Sequence, residues 1–314
     1  MATFTWQFDA PSGVYKSHAM SRRLYEAALE ETKFMDFVRP VEGFGKKMGD
    51  TVTLTRIANI TEPTSAVLQE GVRIPEDEFS MSTYAITVEE LGRAVPFTSF
   101  AEDLSEFDLQ NPIQRKLKSQ WGLVMDTLAA TAFKTAKVKY IPTASTAGTF
   151  DTDGTASTQA TNNLNFYHVE QIRDYLYDTL LCAPYAGEDY VGIFRTLALR
   201  GLKDDAHYEV WHQYTDPQAK YNGEVGRIEK VRFVETNHAN ALAKKGLNSM
   251  LGEGVIFGDD PVAMAEVLSP ELRASMPEDF GRAKAVAWYA ILKFAIVWDT
   301  ANAGEARIVH VTSS

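Results

Sequence analysis

Two histidines five residues apart, His207 and His212 in DAHYEVWHQY, come nearest to a metal-binding pair in this 314-residue chain. Ligands on one helical face need a spacing of three or four, so these read as packing or surface residues. Asp151 and Asp153 with Gly154 match the opening of a calcium loop, but the closing glutamate and flanking helices are missing, and Asp-Gly suits an ordinary polar turn. Cys182, the single cysteine, would need His168 for nucleophilic chemistry, yet it lies in LLCAPY, an apolar setting where a thiol is an inert small hydrophobe. Neither a Walker loop nor Gly-x-Ser-x-Gly occurs, and in GFGKKMG (43–49) Met48 stands where a dinucleotide loop has its third glycine. The adjacent carboxylates Glu89-Glu90 and Asp204-Asp205 point apart on either a strand or a helix. Trp121, Trp288 and Trp298 fall within apolar periods and read as core or interface anchors. No cofactor, metal or catalytic constellation is implied; an enzyme built on this chain would draw on scattered residues such as Asp204, His207 and Glu209.

Composition narrows the classes further. The chain is 45% hydrophobic and 23% charged, as globular proteins are. Its net charge of −11 argues against a broad phosphate-gripping face, and hence against direct nucleic-acid binding. One cysteine permits no internal disulfide and fits a reducing cytosol. The start, MATFTWQFDAPSG, has no secretory pattern, and the longest apolar stretch, Ala285 to Trp298, contains Lys293 and falls short of the roughly 20 residues a membrane span needs.

The elements follow from periodicity. Met20, Leu24, Ala28, Phe34, Met35 and Val38 predict a helix after an extended arm, ended by Pro40 and Gly43. TVTLTRIA (51–58) and FSMSTYAITV (79–88) alternate as two paired strands, with Tyr84, Ile86 and Val88 on one face. Between them Glu70, Glu76, Asp77 and Glu78 surround one basic residue, Arg73, so the hairpin tip is acidic. Arms of about 20 residues at about 3.3 Å each would reach some 60 Å, beyond the width of a domain of this size. Pro112 after Asn111, with Ile113, Leu117, Trp121, Val124, Leu128 and Ala132 at helical spacing, predicts one long helix over 112–137, about 39 Å in length. Arg115, Lys116 and Lys118 occupy its first turns, where the helix dipole disfavours positive charge.

Residues 142–163 hold nine Ser or Thr and no Lys or Arg, which predicts a loop. Val169, Ile172, Leu176 and Leu180 predict a helix, YVGIF (190–194) a buried strand, and 196–214 helical segments broken near Gly201. Further strands are predicted over 227–236, 254–257, 286–298 and 306–312, with a short helix opened by Asp260-Pro261. The fold class is α+β.

A long two-stranded ribbon is marginal alone in water and needs a surface to lie on. Either residues 50–93 fold back over their own domain, or a second copy supplies that surface. The acidic tip and the basic helix start favour the second, with the charges fixing register.

This order of elements resembles the major capsid proteins of tailed bacteriophages, with the Hong Kong 97-type (Johnson) fold. YNGEVGRIEKVRFVETNHA (221–239), GLKDDAHYEVW (201–211) and GDTVTLTRI (49–57) are similar to segments of the N-four-type subfamily. The resemblance implies an N-terminal arm (1–45), an extended loop (46–93), a peripheral domain with the spine helix (94–165), an axial domain (166–284) and C-terminal strands returning to the peripheral domain (285–314). It implies hexamers and pentamers in an icosahedral shell around DNA that is enclosed without specific binding. It also implies assembly in the host cytoplasm, with a separate scaffolding protein, a portal and decoration proteins as partners. In that family the loop of one subunit lies over the next; complementary charge, and not the resemblance, then leads us to expect Glu70, Glu76, Asp77 and Glu78 near a neighbour's Arg115, Lys116 or Lys118. The GEVGRIE segment is expected to form a glycine turn at Gly223 and Gly226 running into a core strand. The alternatives are an encapsulin-like shell around protein cargo and an acidic cytosolic α+β enzyme.

Overall fold

The runs YVGIF, GVIF and IVHV have no alternation because the sheet they form is covered on both faces. In the computed structural model, which describes residues 29–60, 62–63, 65–105, 109–205, 224–246, 251–275, 279–298 and 300–313, the strands are β1 (Val38–Pro40), β2 (Thr51–Ile57), β3 (Met81–Thr87), β4 (Glu89–Thr98), β5 (Lys139–Ala144), β6 (Ala147–Asp151), β7 (Tyr190–Arg195), β8 (Glu224–Ile228), β9 (Val231–Thr236), β10 (Gly254–Phe257), β11 (Val262–Ala274), β12 (Ala283–Ala295) and β13 (Ile308–Val311). The α-helices are α1 (Ser99–Leu104), α2 (Gln110–Lys134), α3 (Phe166–Asp174) and α4 (Arg200–Lys203).

A seven-stranded sheet runs β6-β5-β13-β10-β7-β9-β8, and a four-stranded sheet runs β1-β11-β12-β4. On β7, Tyr190 and Phe194 face a core closed by Val169, Ile172 and Leu176 of the α3 region, while Val191 and Ile193 face a second core. That second core contains Met125, Ala129 and Phe133 of α2 and the alternating Val286, Trp288, Ala290, Leu292 and Phe294 of β12. The long helix therefore lies between the two sheets, and its run of small residues (Ala129, Ala130, Ala132) lets it approach both closely.

Several sequence expectations are corrected. The described end of the predicted N-terminal helix is a bend at Phe34, a 3₁₀ turn over Met35–Phe37 and then β1. Phe34 is pulled into the core against Phe133, and β1 pairs in parallel with β11, which together override helical spacing. The residues before 29 lie outside the described part. The polar stretch after Pro142 is half hairpin: Tyr140 pairs with Phe150 across β5 and β6, so β-branched threonines extend the ladder before the chain turns to coil. Asp260-Pro261 opens a 13-residue strand, β11, where a helix was expected; Pro270, which lacks a ladder N–H, sits at its register shift between Leu268 and Glu271. Among the described residues of the stretch expected to be helical, the helix is α4, which contains Gly201, where a side chain would meet the Leu164 carbonyl at 2.6 Å; residues 206–214 of that stretch lie outside the described part. The turn between β8 and β9 is made by Glu229 and Lys230, both at positive φ (48° and 62°), while Gly226 lies within β8 and Gly223 lies outside the described residues. The spine helix begins at Gln110, two residues before Pro112, with Leu109 in the capping position.

Candidate assembly surface

The base of the hairpin is firmly seated. β2 and β3 pair antiparallel from Thr51↔Thr87 to Ile57↔Met81. Their inner face, Val52, Leu54, Tyr84 and Ile86, packs on Ala263, Ala265, Ala295 and Val297 at the ends of β11 and β12. Arg56 donates from Nη1 to the Val297 carbonyl at 2.9 Å and lies 5.2 Å from the Tyr84 ring centroid and 5.8 Å from that of Trp298.

Beyond that base the ribbon stops being a ribbon. Ala58 N–H to the Ser80 carbonyl, 3.4 Å, is its last rung among the described residues, and the paired arms are seven residues long, well short of the 20 expected. Two prolines, Pro63 and Pro75, remove ladder donors, so the rest is extended coil. A turn over Gln69–Val72 reverses the chain, closed by Val72 N–H to the Gln69 carbonyl at 3.2 Å, with Gly71 at φ +83° in the position where a side chain would be strained. Along this coil Val67 is 84% exposed, Val72 63%, Ile74 65% and Phe79 59%. None of the three apolar cores among the described residues includes them. Isolated exposed apolar residues are ordinary; several of them within one short loop are a feature that protein-contact surfaces share.

The candidate charges divide. Glu70, Arg73, Glu76, Asp77 and Glu78 are all exposed at the tip. Arg73 is ion-paired with Glu76 inside the tip, which leaves three carboxylates there making no ion pair among the described residues. Arg115, Lys116 and Lys118 are exposed on the second and third turns of α2, around the buried Leu117. Next to this helix start stands α1, joined to it by Gln110 Nε2 donating to Glu102 Oε1 at 2.9 Å, and presenting Phe100 and Leu104 to solvent.

The residues tested for chemistry have other occupations. Asp151 accepts the Ser157 N–H and hydroxyl (2.7 and 2.9 Å) and Asp153 the Thr155 N–H (2.8 Å), which is a polar turn. Cys182 lies against the carbonyls of Ala183 and Arg307, and burial pushes its thiol up to about 11, while His168 Nδ1 faces the Tyr140 hydroxyl at 2.7 Å. His207, Glu209 and His212 lie outside the described residues. Among the described residues no group of three His, Cys, Asp or Glu is arranged to hold a metal ion, and no helix is long and apolar enough to cross a membrane. A cleft of about 420 Å³ between α2, β4 and β12 is lined mainly by apolar side chains such as Leu91, Leu128, Leu292 and Phe294.

Sequence reading missed two buried polar nodes. Asp126 and His238, 0% and 1% exposed, meet at 2.8 Å, and Lys139 Nζ meets His310 Nδ1 at 2.9 Å. Burial lowers Lys139 to about 8, against the pull of Glu253 and with Lys134 acting in the same direction as burial. Their only sequence signal was a polar residue at an apolar position of α2 or β13. Burial also lowers His168 to about 4, the Ala144 backbone acting against it, and holds His310 well below its ordinary value, helped by Lys139 and Lys134. Below about pH 6.5 the unfolded chain protonates these rings while the folded one does not, so stability is lost as pH falls from 6.5 toward 4. His168 alone accounts for about 2–3 kcal/mol of that loss. Urea unfolding of unassembled subunits across this range should show it, and His168→Gln should flatten the slope.

No family model matches the sequence, and no curated protein matches it by sequence. Structure is more informative. The chain is similar to the acid-stable capsid structure of Helicobacter pylori bacteriophage KHP30, with 10% identity and a TM-score of 0.73 over 99% of both chains. It is similar to the head structure of Helicobacter pylori bacteriophage KHP40, with 11% identity and a TM-score of 0.72 over 99% of both. Against the capsid of cyanophage Pam1 the identity is 14% and the TM-score 0.70, over 100% of this chain and 99% of that one. The chain has the fold of these phage capsid proteins along its whole length, the Hong Kong 97-type fold.

Proposed function

We propose that this chain is the major capsid protein of a tailed bacteriophage, a structural subunit that self-assembles into the icosahedral shell around the genome. The observation that carries this reading is the loop of residues 58–80, whose apolar and acidic side chains stand exposed on a well-anchored base. The whole-chain likeness to capsid proteins supports it. In this reading residues 1–45 are the arm, 46–93 the extended loop, 94–165 the peripheral domain, 166–284 the axial domain and 285–314 the returning strands. The subunit has no catalytic role. Hexamers and pentamers share one set of patches, and closed symmetry multiplies modest contacts into a stable lattice. The N-four-type assignment rests on residues 49–57, 201–211 and 221–239. Scaffolding, portal and decoration proteins are the expected partners, with assembly in the host cytoplasm. The net charge of −11 suits an inner wall that confines DNA without gripping it. Light scattering of the purified chain, alone and with its scaffolding protein, tests the proposal together with the ultraviolet absorbance ratio of any particles: megadalton particles containing nucleic acid are expected, whereas particles with protein cargo identify a compartment shell and a chain that stays monomeric even with the scaffold overturns both.

The register of the loop is set by charge in this account. Glu70, Glu76, Asp77 and Glu78 of one subunit approach Arg115, Lys116 or Lys118 of the next. Reversing Arg115 and Lys116 to Glu is expected to weaken assembly by about tenfold or more. A second reversal of Glu70, Asp77 and Glu78 to Lys in the same chain should restore it. Normal particles from the first variant would rule this pairing out.

A further inference from the structure

Helix α1 is a poor helix by itself. Its six residues make too few hydrogen bonds to offset helix nucleation, and none of its side chains is buried. Its frame holds it instead: Thr98 Oγ1 caps it by accepting the Ala101 N–H at 3.2 Å, Ser99 N–H donates to the Arg282 carbonyl at 2.9 Å, and Lys284 Nζ donates to Glu102 Oε2 at 2.8 Å. Phe100 and Leu104, four apart and so on one face, are each 70% exposed. In the neighbouring turn between β11 and β12, Phe280 is fully exposed at φ +54°, a backbone region that an aromatic residue rarely adopts. This end of the four-stranded sheet thus presents three large apolar side chains that belong to none of the cores among the described residues.

The loop of residues 58–80 is rooted at the opposite end. Its base packs on Ala263 and Ala265 at the start of β11 and on Ala295 at the end of β12, whereas α1 is tied to Arg282 and Lys284 at the start of β12. At about 3.3 Å per residue along β12 the two ends are roughly 35–40 Å apart. Within one chain both surfaces stay exposed, so neither covers the other. Charge selects between the partners a second copy offers. In the α1 end Lys284 is paired with Glu102 and Arg282 with Asp279, while Gln110 Nε2, donating to Glu102, joins this end to the start of α2, where Arg115, Lys116 and Lys118 stand one to two turns further on. Two α1 ends would bring those cations together. Residues 58–80 carry five acidic side chains and one arginine beside the exposed Val67, Ile74 and Phe79, so the loop matches the α1 end in both polarity and charge.

We propose that Phe100 and Leu104 of α1, with Phe280 beside them, form the dock on which the loop of a second copy lays its apolar side chains. The dock rests on the capsid reading above and makes the contact head to tail: a subunit whose loop is seated still presents its own α1 end to a third, and such contacts close into rings or run on as open chains. Cysteine pairs in the full chain test it, because Cys182, the single native cysteine, is buried. Val67→Cys or Ile74→Cys is combined with Phe100→Cys or Leu104→Cys, particles are assembled and mildly oxidised, and the products are read on a non-reducing gel. At least one pair should give a ladder of covalent oligomers that the single variants lack. Phe100→Ser with Leu104→Ser should raise the concentration needed for particles about a hundredfold or more and leave the urea midpoint of the subunit in place. Particles without a ladder from any pair, a covalent dimer from Phe100→Cys alone, or wild-type assembly of the double serine variant would overturn the dock and leave the capsid reading standing, whereas a wild-type chain that never assembles overturns both. The serine variant decides alone if the cysteine pairs do not assemble.

Discussion

Changing Val67, Leu68, Ile74 and Phe79 together to serine is expected to abolish assembly and leave the subunit folded. These four are between 58% and 84% exposed and belong to none of the chain's apolar cores, so the isolated subunit loses nothing by their removal. Covering each by a neighbour contributes about 1.5–3 kcal/mol, hence about 6–12 kcal/mol for every docked loop. The lower figure already corresponds to about four decades in an association constant. Far-UV circular dichroism and the urea midpoint should match wild type, while light scattering should show no particles at concentrations where wild type forms them. Particles from the quadruple variant at wild-type concentrations would mean that the loop's apolar side chains do not hold the lattice.

The reverse pattern is expected for Phe133→Ala. Phe133 is fully buried near the C-terminal end of the spine helix, its ring centroid 5.4 Å from Phe34 of the segment before β1 and 4.9 Å from Phe257 of β10. It is where helix, segment and seven-stranded sheet meet. Truncation removes the transfer free energy of the ring and leaves a cavity that a close-packed junction of three elements cannot collapse, a loss of about 3–5 kcal/mol. Against a total of about 5–15 kcal/mol, this is a large fraction. The urea midpoint should drop sharply with an unchanged slope. Phe100→Ala, which trims an exposed ring on α1, should move it by less than about 0.5 kcal/mol and serves as the control. Equal effects from the two would contradict the assignment of the core.

The elements whose side chains answer to one environment were readable from residue order. The four-residue spacing of Ile113, Leu117 and Trp121 and the unbroken apolar runs at 190–194 and 254–257 each report burial directly, and α2, β7 and β10 lie there. What failed were segments decided by remote partners. Phe34 and Val38 fit a helix until β11 and Phe133 claim them, and Val262 onward reads as a helix start until β12 pairs with it along its length. The Glu229-Lys230 turn was hidden because neither residue favours positive φ; pairing of β8 with β9 imposes it. The loop between β2 and β3 reads as a projection only through arms of about 20 residues, and those are overstated because Pro63 and Pro75 end the ladder after seven; its exposed, charged tip is legible in the sequence itself. Asp126 and His238 stand 112 positions apart, and no spacing rule joins them.

The central claim is that residues 58–80 complete their contacts on an adjoining copy of the same chain. Cryo-electron microscopy of particles formed by the purified protein tests it most directly. The account predicts a closed icosahedral lattice in which Val67, Ile74 and Phe79 are buried against a neighbouring subunit. A soluble monomer whose loop lies packed along its own sheets, or a lattice in which the loop still faces solvent, would contradict it.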